Sequence, residues 1–438
     1  MIASSVADGR MRVPRVLRGL LYILLIASAA LSVPRVGDYS PLPVATLLDI
    51  WIVLLAAACL ARGQLFAPGL LALLVAYSLT RVVPAMFTGA PFEDFAQAYR
   101  WLLYLVVFIV VIGRSWGPVR PLIRVTFTLL ILALLKTGLT VAVLGLGSRS
   151  GLLIENNFEM ALFVGLVAVL YPHFRKAERI WAVILLSVLV FSSGSRSGAV
   201  ALACLVIYVL IQTRVNIFFR YLMILTVPAL IYLVAQVFIE RATEVGGAID
   251  RLNFLRVFTA ETAAWSPLDW LIGTVPLTPL QYGCSTLSFY EGLFASSGDG
   301  SCYAVIMHAF ILRVVFDAGI VGLALAVVVT FVAMRKAGVS RLLAFTLIGV
   351  AIANSLSVSG LNSPYVALPV VVASLVATVP LPDARASPGH IMPRGSRALL
   401  DERDPSGENA PNDSARDDDA QDTPGSHCEV QRAHRRDG

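Results

Sequence analysis

Charged residues are scarce in this chain: Asp, Glu, Lys and Arg make up 14% of its 438 residues, whereas hydrophobic residues make up 57%. A soluble domain carries roughly 25% charged residues, so the composition excludes an ordinary soluble protein. The mean hydropathy of +0.78 points the same way. Apolar runs long enough to cross a hydrocarbon core of about 30 Å follow one another along most of the chain. The sequence therefore predicts an all-α, polytopic integral membrane protein.

About twelve transmembrane helices are predicted, one for each long apolar run. The runs cover residues 17–33, 43–61, 66–86, 99–113, 121–146, 158–172, 179–193, 198–213, 218–239, 304–334, 341–360 and 365–380. They divide the chain into an N-terminus (1–16), nine helices (17–239), one large loop (240–303), three more helices (304–380) and a tail (381–438). The arginines before the first run also fit a secretory signal, but a chain this hydrophobic inserts without one.

Positive charge is distributed unevenly between the two sides of this arrangement. With the N-terminus in the cytoplasm, arginines and lysines concentrate in the cytoplasmic connections, notably at 10–18, 114–124, 175–179 and 335–341. Because cytoplasmic loops carry the excess of Lys and Arg, this bias predicts an even number of spans with both termini inside. The large loop, 240–303, then faces the periplasm. The few arginines on that side require a separate explanation.

Cysteine and histidine are also rare, with five of each, and no Cys/His spacing matches a zinc site. Cys59 and Cys204 fall in predicted spans, where a thiol acts as a small apolar side chain. Cys284 and Cys302 share the large loop. If the loop faces an oxidising periplasm these two can form a disulfide, and the sequence leaves that pairing and two free thiols both open.

The tail, 381–438, has a different composition from the rest of the chain. It is rich in Pro, Gly, Asp and Arg, nearly free of aromatic residues, and carries more acidic than basic side chains. Such a segment cannot bury a core, so we predict a disordered cytoplasmic tail. The excess positive charge therefore belongs to the membrane body, where it reflects topology and contact with the lipid bilayer. Nothing indicates nucleic-acid binding.

Two exterior arginines lie in identical surroundings. The segment GSRSG occurs at 147–151 and again at 194–198, around Arg149 and Arg196, each at the outer end of a pair of predicted helices. A guanidinium flanked by Gly and Ser suits a diphosphate, because its planar fork donates to two oxygens at once. The alternative for each arginine is contact with lipid phosphates at the membrane interface.

The large loop begins with an amphipathic segment, RLNFLRVFTAETAA at 251–264. Its pattern predicts a helix along the membrane surface over a cavity, or alternatively a simple surface cap. We place Leu252, Leu255, Val257 and Phe258 on its apolar face, with Arg251 and Arg256 beside them. The following Trp265-Ser-Pro-Leu ends the helix.

A histidine begins the tenth predicted span. His308 is followed by Arg313 and Asp317, whose spacing of four predicts a salt bridge on one helix face. Gly319 and Gly322 follow, and two small residues at this spacing favour close packing of a neighbouring helix.

These residues resemble a known family. His308-Ala309, nine residues and then Gly319-Ile-Val-Gly322 resembles a motif of the O-antigen ligase and polymerase superfamily, in which the second position is Asn, Ser or Gln instead of Ala. The Ser-Arg-Ser-Gly turn at Arg196 is similar to the family's arginine turn between two helices. Weaker likenesses lie at 251–271 and 155–163, so the resemblance extends over 149–322.

The resemblance implies a GT-C-like membrane glycosyltransferase of the bacterial inner membrane that works at the periplasmic face without metal or cofactor. Its donor would be an undecaprenyl-diphosphate-linked oligosaccharide. The residues favour a Wzy-type polymerase that joins repeat units into exopolysaccharide or O-antigen, with a flippase and a chain-length regulator as partners. The first alternative is an O-antigen ligase that transfers the glycan to lipid A-core. A protein oligosaccharyltransferase is a further alternative.

The expected roles follow from the matching motifs. Arg196 is expected to bind the donor diphosphate, and His308 is expected to hydrogen-bond or protonate it as it leaves. Arg149, Arg251, Arg256 and Arg313 are expected to contact diphosphate or glycan. The residues leave the base that deprotonates the acceptor hydroxyl undecided between Glu155, Glu159, Glu261 and Asp299.

A transporter or flippase for the same lipid-linked sugar belongs to a different class. Ionisable residues within spans are typical of transporters, and Asp49 and Lys136 meet that description unless they form ion pairs. Most of the unexplained charge nevertheless lies on one face, which favours a site that opens to the periplasm.

Overall fold

The computed structural model describes residues 11–61, 65–145, 151–212, 250–287, 295–296, 298, 300–356 and 358–378, all within the compact unit Met1–Ala384. Within these ranges the regular structure is helical, and no strand occurs beyond an isolated bridge between Arg12 and Ser115. The predicted ninth span, the first GSRSG segment with Arg149, and Asp299 lie outside the described residues, as does the tail predicted to be disordered.

The described helices follow one another along the chain. They are α1 (Arg15–Ser32), α2 (Val44–Ala61), α3 (Pro68–Ala85), α4 (Phe92–Val110), α5 (Arg120–Leu144), α6 (Asn156–Leu170), α7 (Lys176–Ser193), α8 (Arg196–Gln212), α9 (Asp250–Glu261), α10 (Pro267–Ile272), α11 (Gly283–Thr286), α12 (Phe310–Lys336), α13 (Arg341–Ser355) and α14 (Pro364–Val376). Single 3₁₀ turns lie at Tyr171–His173, Ala304–Ile306 and Gly360–Asn362.

The helices coincide with the predicted apolar runs wherever the structure describes them. Eleven runs correspond to α1 through α8 and α12 through α14. Five of these helices, α1, α2, α3, α5 and α12, are long and apolar enough to cross a membrane. The helical, membrane-embedded class is therefore supported, while the total of twelve spans stays a prediction.

The centre of the bundle is α6, which is apolar around most of its circumference and packs against α8, α13 and α14. A helix that is hydrophobic on all sides belongs in the interior of a protein. Gly165 lets α14 approach closely, because a Cβ on this residue would lie 2.6 Å from Pro369. The outer helices expose apolar side chains such as Ile23 and Leu73, as helices that face lipid do.

α12 is broken at Gly319, whose φ of 66° and ψ of −175° are not helical. The break leaves backbone carbonyls without helical donors, and other segments supply them. Thr274 donates its N–H to the Phe316 carbonyl at 2.9 Å. Arg81 and Tyr99 donate to the Asp317 carbonyl at 3.2 and 3.4 Å. Such replacement donors are what allows a helix to break inside a membrane.

The two glycines of α12 admit close neighbours, as predicted. A Cβ on Gly319 would lie 2.1 Å from the carbonyl oxygen of Leu271, so the backbone of α10 lies directly against the break. A Cβ on Gly322 would lie 2.7 Å from the hydroxyl of Tyr77 in α3. The break in α12 is thus the place where α3 and α10 dock.

The amphipathic helix predicted in the large loop is present as α9, although its apolar face is rotated from the predicted one. Phe254, Val257 and Phe258 are buried, whereas Leu255 is 44% exposed. The placement of Leu255 on the apolar face was therefore wrong, because burial follows the i, i+3, i+4 spacing that starts at Phe254. The side chain of Leu252 lies outside the described residues.

The chain leaves α9 as predicted, and α10 begins with a capping box. Ser266 accepts from the Asp269 N–H at 3.3 Å, and the Asp269 carboxylate accepts from the Ser266 N–H at 2.8 Å. The Ser266 hydroxyl also donates to this carboxylate at 2.8 Å, and the hydrogen bonds from the hydroxyl and from the Ser266 N–H lower the pKa of the Asp269 carboxyl group. The box stabilises the first turn of α10, which then lies against the break in α12.

Cys284 and Cys302 form a disulfide, with their Cα atoms 5.6 Å apart. Cys302 is completely buried, and its carbonyl accepts from the Leu280 N–H at 2.9 Å. The disulfide lies in a second apolar cluster that also contains the buried face of α9 and the residues just before α12. It therefore ties α11 to the segment that leads into His308.

Gly319→Ala is expected to destabilise the protein. Its backbone conformation is almost exclusive to glycine, which costs another residue about 1–3 kcal/mol, and the added Cβ would collide with α10. Thermal unfolding of the purified protein in detergent measures the effect. Gly138→Ala in α5 is the control, because its Cβ would meet no atom within 4 Å. Equal unfolding temperatures for the two variants would contradict this account of the break.

Candidate functional site

A small polar cavity lies between α4, the start of α12 and the connection from α13 to α14. Its volume is about 50 Å³, and its described walls are Gln97, Arg100, Val305, Ile306, His308, Arg313, Ser359 and Asn362. These walls include two guanidinium groups, an imidazole and several neutral polar groups, but no acidic side chain. At roughly 10–15 Å³ for each water, the cavity has room for a group of a few heavy atoms, comparable with one phosphate. The arrangement suits an anion.

Arg313 is the most deeply buried cation of the cavity, with only 1% of its surface exposed. Its Nε and Nη2 atoms are buried and have no hydrogen-bond partner among the described residues. Burying an uncompensated charge is costly, so proteins generally pair such a group or bring a ligand to it. Arg313 is also a wall of the cavity, so its guanidinium group can contribute positive charge toward an anionic ligand there.

The predicted salt bridge between Arg313 and Asp317 was wrong. Among the described residues the ion pairs are Arg100–Asp49 and Arg120–Glu178. Arg313 lines the cavity, while Asp317 lies beside the break in α12. The spacing of four residues brings two side chains onto one helix face, but tertiary surroundings decide whether they meet.

Arg100 is the second guanidinium of the cavity and is oriented by a carboxylate. Its Nη1 atom donates to Asp49 of α2 at 2.8 Å, and Tyr104 donates its hydroxyl to the same carboxylate. The side chains of Arg100 and Asp49 are 25% and 21% exposed. Asp49 therefore forms the ion pair that the sequence left open, which removes the need for a transport role to explain it.

Lys136 is the other buried charge considered for transport. Its ammonium group donates to the Ser32 hydroxyl and to the Asp38 carbonyl, at one end of α1 and α5. These contacts satisfy the cation structurally, and Lys136 is not among the residues that line the cavity.

His308 lies at the cavity wall, two residues before the start of α12. The ring of Phe254 meets its imidazole edge to face, with centroids 5.8 Å apart. The loop helix α9 therefore packs against the candidate site, consistent with the prediction that it covers a cavity. The next residue, Ala309, is the N-cap of α12 and is 6% exposed, so this position holds a small apolar side chain without leaving a polar group unsatisfied.

Arg196 is the first residue of α8 and is half-buried. The two serines beside it, Ser195 and Ser197, donate to the side-chain oxygen of Asn157 at 2.9 and 3.2 Å. Ser195 also accepts the Gly198 N–H at 3.0 Å, as an N-cap residue does. The polar residues of the GSRSG turn therefore fix the backbone that carries Arg196.

Hydrogen bonds connect this turn to the segment that carries His308. Asn354 of α13 donates its side-chain amide to the Asn157 carbonyl. The backbone carbonyl of Asn354 accepts from the Val358 N–H at 2.9 Å, and the Val358 carbonyl accepts from the Phe310 N–H at 3.2 Å. The two motifs that carry the family resemblance are thus joined through the α13–α14 connection.

The remaining predicted arginines are less well defined. Arg256 is exposed on α9, and Arg251 lies on the same helix with its side chain outside the described residues. Neither is among the described cavity walls.

Two of the candidate bases already accept backbone hydrogen bonds. Glu159 is 1% exposed and accepts from the N–H groups of Leu152 and Leu153 at 2.7 and 2.8 Å. Glu261 accepts from Tyr282 and Gly283 at 2.6 and 3.0 Å. Both carboxylates hold turns in place.

Glu155 differs from these two carboxylates. It is half-buried, immediately precedes α6, and accepts at 3.0 Å from the side-chain amide of Asn157. The same Asn157 holds the Arg196 turn, so Glu155 lies closest in the hydrogen-bond network to a predicted catalytic residue.

The chain matches no protein-family model and no curated protein. The geometry of the cavity and the motif resemblance are therefore the grounds for a functional proposal.

Sequence reasoning missed the site roles of Arg100 and Asn362. In the sequence, Arg100 stands out only as one of the few arginines predicted on the exterior side, at one end of an apolar run. Asn362 lies in a short polar connection, SVSGLNSP, which by itself is typical of a loop. Their convergence depends on contacts between distant parts of the chain.

Arg313→Met is expected to change the stability of the ligand-free protein little, because two of the buried guanidinium nitrogens have no hydrogen-bond partner among the described residues and methionine can still pack on Phe310. Anion binding by the same variant should be lost. Thermal unfolding in detergent tests the first expectation.

Arg114→Met is the matched control for this measurement. Arg114 is 4% exposed and donates to the Cys59 carbonyl at 3.0 Å, so the same replacement should lower the unfolding temperature. An Arg313 variant that unfolds well below the wild type would show that the guanidinium has a structural partner.

Proposed function

We propose that this protein is a membrane glycosyltransferase that uses a glycan on a polyprenyl diphosphate, and specifically a Wzy-type polymerase of lipid-linked repeat units. The observation that carries the proposal is the cavity in which Arg313 meets Arg100 and His308, with no acidic side chain among its described walls. The charge of such a cavity suits the leaving group of the proposed reaction, a diphosphate that gains negative charge as it departs, and its volume is comparable with one of the two phosphates.

The chemistry can be written with these groups. The acceptor hydroxyl attacks the anomeric carbon of the donor sugar, a new C–O bond forms, and the bond from that carbon to the diphosphate oxygen breaks. The departing diphosphate takes the bonding electron pair, and the guanidinium groups stabilise that charge. His308 hydrogen-bonds or protonates the same oxygen. The proton of the acceptor passes to a base, for which Glu155 is the best placed of the described candidates.

The proposed exterior position of the cavity has support from two directions. The Cys284–Cys302 disulfide belongs to the segment that leads into His308, and structural disulfides persist in oxidising compartments such as the periplasm. The positive charge concentrates in the connections assigned to the opposite side. Both observations favour an inner-membrane protein whose site opens to the periplasm.

A reaction with purified protein tests the proposal. The protein in detergent is supplied with a polyprenyl-diphosphate-linked repeat unit, and products are resolved by size and by carrier. A ladder of repeats that remains on the polyprenyl carrier is the expected result. Transfer that occurs only after lipid A-core is added would instead indicate the ligase. Absence of transfer under both conditions would contradict the glycosyltransferase proposal.

Arg196→Ala and His308→Ala are each expected to abolish the product while the protein remains folded in the membrane, because the proposal assigns both groups to the diphosphate: His308 as a cavity wall, and Arg196, which is not among the described walls, from its motif alone. Arg149→Ala should weaken activity less. Arg120→Ala is the control, since Arg120 pairs with Glu178 outside the cavity and should retain wild-type activity. Normal product from both of the first two variants would remove these site assignments.

A further inference from the structure

On the α4 side of the cavity, an asparagine side chain bridges two residues of the helix that would otherwise bond to each other. The Asn362 side chain accepts from the Trp101 N–H at 2.8 Å and donates to the Gln97 carbonyl, also at 2.8 Å. Residues 97 and 101 are the i and i+4 positions that pair in an uninterrupted α-helix. Insertion of a side chain into this ladder is a recognised cause of local distortion in a helix.

This contact places the polar side chains of α4 relative to the rest of the cavity. Asn362 is 2% exposed and belongs to the 3₁₀ turn Gly360–Asn362, which forms part of the cavity wall. Gln97 and Arg100 lie on the bridged turn of α4 and line the same cavity. Both hydrogen-bonding groups of the Asn362 side chain are used by the helix, so its function is to position other groups.

The opposite wall is fixed to the same connection. Phe310, the first residue of α12, donates its N–H to the Val358 carbonyl at 3.2 Å. The start of α12, between His308 and Arg313, is therefore held by Val358. Val358 lies four residues before Asn362 in the chain. One short connection sets the distance between the Arg100 side and the His308–Arg313 side of the cavity.

Arg100 also has the chemistry of a ligand-binding group. The Asp49 carboxylate orients its guanidinium at one N–H, and a guanidinium has five. A fixed planar fork with further N–H groups, beside the second guanidinium of Arg313, matches the several oxygens of a phosphate ester.

We infer that Arg100 is a diphosphate-binding residue of this cavity and that Asn362 is its positioning residue. This inference rests on the proposed function and deepens it: the diphosphate of a lipid-linked ligand is held between Arg100 on α4 and Arg313 on α12. Asp49 and Tyr104 orient the guanidinium group of Arg100, and Asn362 fixes the position of α4 relative to the rest of the cavity.

The test measures binding directly. Inorganic pyrophosphate and farnesyl diphosphate are titrated into the full-length protein in nanodiscs of zwitterionic phosphatidylcholine, by calorimetry. Arg100→Ala should weaken both affinities by about tenfold or more, as expected for loss of charge-assisted hydrogen bonds. Arg100→Lys should recover part of the affinity, because it restores the charge without the fork. Arg120→Ala should bind as the wild type does.

Asn362 variants test the positioning role. In Asn362→Ala the Trp101 N–H and the Gln97 carbonyl can pair with each other, so the protein should fold while affinity for both probes falls. Asn362→Asp should bind more weakly still, since it adds a negative charge at the cavity and cannot donate to Gln97. A purely structural role would lower the unfolding temperature of both variants and leave the affinity of the folded protein unchanged.

The outcomes separate the two proposals. If the wild type binds both probes and Arg313→Ala loses them while Arg100→Ala and Asn362→Ala do not, this inference is wrong and the proposed function stands. If only pyrophosphate binds, the assignment of a lipid-linked ligand is overturned. If the wild type binds neither probe, the inference and the proposed function fail together.

Discussion

The break of α12 at Gly319 is the feature on which the rest of the candidate site depends. A broken helix inside an apolar bundle exposes carbonyls that no water can satisfy, so donors must come from other segments. Thr274, Arg81 and Tyr99 supply them, which fixes the large loop, α3 and α4 around the first part of α12. That part carries Arg313 and follows directly after His308. The hydrogen bonds that satisfy the broken helix therefore also fix the positions of these charged groups.

Within that arrangement one guanidinium group, that of Arg313, lacks a full set of hydrogen bonds. Asp49 neutralises Arg100, but Arg313 has two buried nitrogen atoms without partners among the described residues. A protein optimised only for stability would replace such a group with an apolar one. Its retention beside a histidine and a second arginine is the physical ground for placing ligand binding here. The same reasoning separates it from Lys136, whose partners are a hydroxyl and a carbonyl of the protein itself.

Hydropathy and turn residues were sufficient to place the helices, because a membrane requires long apolar runs and the boundaries follow from polar residues at their ends. The finer predictions failed where long-range contacts decide. The i, i+4 rule paired Arg313 with Asp317 in a salt bridge, but Arg313 lines the cavity, Asp317 lies next to the break at Gly319, and no salt bridge forms between them. Leu255 was assigned to the wrong face of α9 because the sequence does not show which side meets the second apolar cluster. Asn362 could not be recognised, since its two partners lie on a helix more than 250 residues earlier.

Neutral amides position the charged groups on both sides of the proposed site. Asn157 holds the turn of Arg196 and is itself held by Asn354, while Asn362 holds the turn of α4 that carries Arg100. An amide offers both a donor and an acceptor without adding a charge that would have to be compensated in a medium of low polarity. It can therefore fix backbone geometry beside a guanidinium without neutralising it. Carboxylates in the same places would add negative charge beside the arginines and further lower the positive potential that an anionic ligand requires, which Asp49 already lowers at Arg100. The α13–α14 connection contains Asn362, and its Val358 N–H donates to the Asn354 carbonyl, so this one segment is bonded to the asparagines on both sides of the proposed site.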